Sequence, residues 1–154
     1  MLLKFDDNLK TGVPLMDEEH ETLINLLNRV SMLLKSGEKA KAVDFFKNTI
    51  ASYVETHLSN EEAFMESIEY PHLEEHRKIH EVFRREVHKL LPAIESGDYH
   101  AFTQALSLCW GWLYYLIAKT DKKYGEYARE KGAYLAIFFG KSKSFSFTVY
   151  LALR

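Results

Sequence analysis

Two apolar stripes of helical period, separated by Tyr70-Pro71, constrain this chain more than any other feature. One runs Phe46, Ile50, Tyr53, His57, Glu61, Phe64, Ile68; the other runs Leu73, His76, His80, Phe83, Val87, Leu90, Ile94. Residues three and four apart share a helix face, so each stripe describes an amphipathic helix. The residue before a proline avoids the helical region, which ends the first helix near Tyr70 and lets Pro71 open the next. Helices joined by so short a turn pack as antiparallel neighbours.

Each stripe is interrupted by groups that apolar faces rarely hold. His57 and Glu61 lie one turn apart in the first, and His76 and His80 one turn apart in the second. A lone His on such a face is usually a hydrogen-bonded core or boundary residue, and either pair alone is a common chance spacing. Together they need more. A buried carboxylate among imidazoles requires a partner that offsets its desolvation, and a metal ion supplies one. Ligand pairs on facing helices build metal sites in bundle cores. Imidazole with carboxylate suits iron, zinc or manganese better than calcium or magnesium, which prefer all-oxygen sites.

The rest of the 154 residues fits the same architecture. Residues 1–16 read as an extended N-terminal arm, with Asp17 as the N-cap of a helix over 18–36. Its stripe is His20, Leu23/Ile24, Leu27, Val30, Leu34. Ser36-Gly37 closes it, and the second helix covers 39–68, with Glu62 turned away from Glu61 and exposed. The third covers 72–95. Ser96-Gly97-Asp98 separates it from a fourth over 99–131, which carries Phe102, Leu106, Cys109/Trp110, Leu113, Leu116/Ile117, Asp121 and Tyr124 before Gly132. Three short loops make this an all-α, up-down-up-down four-helix bundle over 17–132. His20 heads an apolar face and Asp121 continues one. Local capping for His20, and a boundary position or a salt bridge to a Lys for Asp121, are the plainer roles.

The tail, 133–154, differs in character. Phe145, Phe147, Val149, Leu151 and Leu153 alternate at the period of a strand, and a bundle has no sheet for them. Packing on the bundle, self-association, a membrane surface or a foreign extension all fit this pattern; packing or self-association is preferred. Elsewhere composition mainly excludes. A formal charge of -2 gives no reason to expect nucleic acid or an anionic membrane. The single Cys, Cys109, forbids an internal disulfide and reads as a core thiol. No run reaches the roughly 18 to 20 apolar residues of a membrane span, and the N-terminus has no signal-peptide core. A cytoplasmic protein is expected.

Four segments together resemble the hemerythrin family in its bacterial single-domain form: G-V-P-L-M-D-E-E-H (Gly12 to His20), H-L-S-N-E-E-A-F-M (His57 to Met65), Y-P-H-L-E-E-H-R-K-I-H (Tyr70 to His80) and W-L-Y-Y-L-I-A-K-T-D (Trp112 to Asp121). Phe5 stands where the family often has Trp. The resemblance implies two non-haem Fe ions, joined by an oxo or hydroxo bridge, that bind O2 reversibly. By position it implies His20 and His57 on one iron, His76 and His80 on the other, and Glu61 and Asp121 bridging. Glu18, Glu19, Glu55 and Glu75 are near enough in sequence to hold the outer N–H groups of the imidazoles.

One position departs from the family. A fifth His is expected five residues before Asp121, and Leu116 stands there. An alkyl side chain cannot ligate, so one iron is left coordinatively open, to water or to azide, peroxide or O2. His72 and Tyr115 are the neighbouring side chains with ligating atoms, although helical spacing aims both elsewhere. The expected function is O2 binding for carriage, storage or sensing. The alternatives are oxidase- or peroxidase-like chemistry at the open iron, or a bundle whose degraded site holds zinc, one metal or none.

Overall fold

The computed structural model describes residues 2–132, so every expectation for the tail lies outside the described residues. Four helices follow in order: α1 (Pro14–Lys35), α2 (39–67), α3 (Leu73–Glu95) and α4 (99–130). No strand occurs among the described residues. Three short loops connect the helices as an up-down-up-down bundle. Asp98 caps α4 by accepting from His100 N and Ala101 N at 2.9 and 3.2 Å, a cap that typically stabilises a helix by about 1 kcal/mol. No helix among the described residues is long and apolar enough to cross a membrane.

The start of α1 corrects the expected boundary. The helix begins at Pro14, whose fixed φ and missing N–H suit the first turn, and Asp17 is not its N-cap. The Asp17 carboxylate instead reaches backwards, accepting from Thr11 N at 2.7 Å, Thr11 Oγ1 at 2.8 Å and Gly12 N at 3.1 Å. It pins the segment before the helix. The arm is also less extended than expected. Asp7–Leu9 forms a 3-10 turn that buries Leu9, and Asn28 of α1 exchanges hydrogen bonds with the Leu3 backbone at 3.0 and 2.6 Å. Pro71 falls in the turn, and α3 begins two residues later at Leu73.

Neither α2 nor α4 is a uniform α-helix. A π-helical turn spans Phe46–Ile50 in α2, and two more span Cys109–Leu113 and Leu116–Thr120 in α4. The sequence supplies the reason. Buried residues recur at strict four-residue steps: Phe46, Ile50, Val54 and Leu58 in α2, and Ala105, Cys109, Leu113, Ile117 and Asp121 in α4. On a 3.6-residue helix each such step drifts by about 40° around the axis. A wider turn absorbs the drift and keeps the row facing the core. Asp121 belongs to this row, one turn before the buried Gly125, so these turns bear on where its carboxylate points.

The core is in two parts. The larger includes Leu23, Leu27, Phe46, Ile50, Leu58, Phe83, Phe102, Leu113 and Ile117. The smaller, at the end holding the Pro71 turn, comprises Val13, Met16, Phe64, Met65, Ile68, Tyr70, Tyr124 and Ala128. On every helix the change from one to the other falls at the expected site residues: His20, His57/Glu61, His76/His80 and Asp121. Cys109 packs in the larger core, where burial pushes its thiol up to about 12.

Candidate metal centre

All four helices contribute to one buried polar layer. α1 carries His20, α2 His57 and Glu61, α3 His76 and His80, and α4 Asp121; all six are 3% exposed or less. The imidazoles fall into two edge-on pairs. The His20 and His57 rings are 4.7 Å apart and those of His76 and His80 4.6 Å apart. Each carboxylate faces both pairs. Glu61 Oε2 lies 3.4 Å from His57 Nε2 and 3.5 Å from His80 Nε2. Asp121 places Oδ2 3.3 Å from His20 Nε2 and Oδ1 3.2 Å from His76 Nε2. Ligand-type atoms of His20, His57 and Glu61 lie within 4.8 Å of one another, as do those of Glu61, His76 and His80.

The pattern of unpartnered atoms fits a cation. Both ring nitrogens of His20, His76 Nε2, His80 Nε2, Glu61 Oε1, Asp121 Oδ1 and the Tyr124 hydroxyl are buried without a hydrogen-bond partner among the described residues. Interiors rarely leave such atoms unpaired. Here all but the Tyr124 hydroxyl belong to facing imidazoles and carboxylates, and a shared metal ion would satisfy several at once.

Outward partners orient the rings. His57 Nδ1 pairs with Glu19 Oε2 at 2.6 Å, and Asn60 Nδ2 donates to Glu19 Oε1 at 2.7 Å. His80 Nδ1 pairs with Glu62 Oε1 at 2.8 Å, and Arg84 Nη1 donates to that same oxygen at 2.8 Å. A carboxylate on Nδ1 turns Nε2 inward, the usual arrangement behind a metal-binding His. Electrostatics follow from this geometry. Burial opposes the charged form of His57, but the hydrogen bonds it donates to Glu19 and Glu61 prevail and raise its pKa to about 10. His80 is raised to about 9 against the same burial, by Glu61 and Glu62. Glu61 is held well below the usual carboxylate range: burial opposes this, and the two imidazoles outweigh it. Burial, then the nearby Glu61 and Asp121 charges, push the Tyr124 phenol well above its ordinary value.

Several expectations change here. Glu62 is not exposed: its side chain is 18% accessible and it backs His80. Helical angle turns Glu62 away from Glu61, but toward the neighbouring α3, which the angle alone does not reveal. Of the four acids near enough in sequence, Glu19 backs an imidazole of the cluster, whereas Glu55 pairs with Arg84 and Glu75 with the exposed His72. His72 and Tyr115 are exposed and do not enter the layer. Leu116 is 1% exposed. Asp121 has no Lys partner among the described residues and faces two imidazoles instead. Asn60, Arg84 and Tyr124 were not anticipated around the site. Arg84 lies one turn beyond His80, and that spacing was the available signal for it.

The comparisons with known proteins agree with this geometry. The Hemerythrin HHE cation binding domain matches residues 11–128. A Bacteriohemerythrin of Stenotrophomonas maltophilia (strain R551-3) is 27% identical over 125 residues, covering 81% of this chain and 80% of the relative. One from Pseudomonas aeruginosa (strain LESB58) is 26% identical over 127 residues, 82% of each chain. One from Campylobacter jejuni subsp. jejuni serotype O:6 is 27% identical over 118 residues, 76% of this chain and 88% of the relative. With its buried histidine and carboxylate layer inside the matched region, the chain belongs to the hemerythrin family of non-haem iron-binding proteins.

Proposed function

We propose that the protein holds two iron ions between its four helices and binds O2 there, for carriage, storage or sensing. His20 and His57 would hold one ion and His76 and His80 the other, with Glu61 and Asp121 available to both. The observation that carries this reading is the set of unpartnered buried ring nitrogens and carboxylate oxygens facing one another across the layer. Two iron ions, when bound, would supply one electron each for reversible O2 uptake. The chain's own residues do the rest. Glu19 and Glu62 hold the Nδ1 protons of His57 and His80 and keep each Nε2 inward. The apolar clusters on either side of the layer, with Phe83 and Leu113 in one and Phe64 in the other, would keep water and its protons away.

Leu116 carries a second reading. An alkyl side chain leaves one ion with two imidazoles where the family's pattern has three, and a metal position open to exogenous ligands distinguishes catalytic from closed sites. Oxidase- or peroxidase-like turnover at that position is the alternative to reversible binding. Metal analysis with visible spectra, recorded anaerobically, in air and after azide, separates the two. Two irons per chain and a charge-transfer band that reverses on removing O2 are expected. Irreversible oxidation with turnover of peroxide would favour the enzyme, and one metal or none with no band would remove both readings. Leu116→His is expected to tighten iron binding at least about tenfold, since even an outer partner of a ligand is worth that much. It should also slow azide entry.

Metal uptake is expected to displace protons. His57 and His80, raised to about 10 and about 9, are charged in the metal-free protein at neutral pH. Apparent metal affinity should therefore rise with pH, by up to about a hundredfold per unit below pH 9 when two protons leave. Stability of the metal-free protein runs the other way. A pKa raised on folding stabilises fully below the unfolded value of 6.5, and that contribution disappears as pH climbs to about 10. Thermal melts of chelated and loaded protein at pH 6 and pH 9.5 check both signs: the chelated protein should melt lower, and the loaded protein should gain more over it, at the higher pH.

A further inference from the structure

With Leu116 in place of a fifth imidazole, the two proposed metal positions have equal imidazole counts, two and two. What differs is what stands behind the imidazoles. Glu19, behind His57, has Asn60 as its other side-chain partner, and no Lys or Arg pairs with it among the described residues. An amide leaves the carboxylate charge in place. Glu62, behind His80, uses one oxygen to accept from both His80 Nδ1 and Arg84 Nη1, each at 2.8 Å. Arg84 is itself fixed, donating from Nε to Glu55 Oε1 at 2.9 Å. It lies one turn past His80 on α3 and spans Glu55 and Glu62, two turns apart on α2. The pair is sheltered, with Arg84 19% and Glu62 18% accessible, so solvent screens it incompletely.

We infer that Arg84 is a positioning residue that makes the two metal positions unequal, by drawing charge from the carboxylate that backs His80. A carboxylate that keeps its charge strengthens the imidazole as a donor; one shared with a guanidinium strengthens it less. The His20/His57 position is therefore the stronger and fills first. The His76/His80 position is the weaker and more electron-poor. Arg84 thus favours exchange of exogenous ligands at the His76/His80 position. This rests on the paired-metal reading above.

Anaerobic titration of the metal-free protein with cobalt(II), followed by its visible bands, tests this without any turnover. Wild type should bind in two steps. Glu19→Gln should weaken the tighter step, and Glu62→Gln the looser one, by about ten- to a hundredfold each. Arg84→Met should strengthen the looser step by about three- to tenfold, the effect of removing one positive charge several Å away. Arg84→Lys, which keeps the charge, should lie near wild type. The opposite signs for Arg84→Met and Glu62→Gln are the signature, with helicity checked by circular dichroism. If both weaken the same step, Arg84 is only a strut and the inference fails. If wild type binds two ions in indistinguishable steps, the inference also fails while the paired-metal reading stands. If wild type takes up no cobalt, that reading falls and the inference with it.

Discussion

Glu61→Ala is expected to leave the chain unable to hold a metal pair and to lower its melting temperature by about 10 °C or more. Glu61 Oε2 faces His57 on one side and His80 on the other, at 3.4 and 3.5 Å. Its loss removes the one ligand-type residue common to both clusters. In the metal-free protein the cost is electrostatic. Glu61 is among the partners that raise His57 to about 10 and His80 to about 9. Without it two buried imidazoles must give up their protons or stay charged with no inward acceptor. Removing one partner of a buried ion pair typically costs about 3–5 kcal/mol. Glu61→Gln keeps the shape and should lose metal with a smaller loss of stability. Elemental analysis and thermal melts decide: an alanine variant with two metals per chain and an unchanged melt would show that Glu61 is not the shared group.

Gly125→Ala is expected to destabilise the protein by about 2 kcal/mol, although alanine is the better helix former. Gly125 lies buried in α4, one turn beyond Asp121. An added Cβ would overlap the Thr11 carbonyl oxygen and lie 2.9 Å from the Thr11 carbonyl carbon and 3.1 Å from its Cβ. Thr11 cannot easily withdraw. Asp17 holds its N–H and its hydroxyl, and that hydroxyl accepts from Val13 N at 3.1 Å. The methyl must therefore push α4 or tear the segment off α1. Gly111→Ala is the control. Gly111 is exposed and helical, with nothing within 4 Å of an added Cβ, so alanine should stabilise by up to about 1 kcal/mol. Paired melts should move in opposite directions. Equal shifts of the same sign would mean that the N-terminal segment yields.

The parts of the fold legible in sequence were those set by period and punctuation. The stripes through His57 and His80, the break at Tyr70-Pro71 and the break at Ser96-Gly97-Asp98 follow from helix geometry and local chemistry, and they suffice for a bundle. The gathering of His57, Glu61, His76 and His80 was foreshadowed by their places on apolar faces, whereas His20 and Asp121 entered through the family resemblance, since their own faces allowed plainer roles. What escaped depends on a neighbour's position. Glu62 points away from Glu61, and only the approach of α3 turns that direction into a contact with His80. Asp17 looks like a cap because residue type and place fit, yet Pro14 starts the helix earlier and frees the carboxylate for Thr11. The π turns need the four-residue steps of both long helices to be read as accumulated drift.

The polar layer between the two apolar clusters also governs alignment. Leucine and phenylalanine stripes are tolerant of sliding, since one alkyl group replaces another at little cost when a helix shifts by a turn. Here such a shift on any one helix would set an imidazole or a carboxylate against hydrocarbon and strand the groups it left behind, each a penalty of several kcal/mol. The layer thus acts as a ruler laid across four helices. It disfavours mis-registered packings before any metal arrives, so the residues proposed to hold metal also make the empty bundle singular.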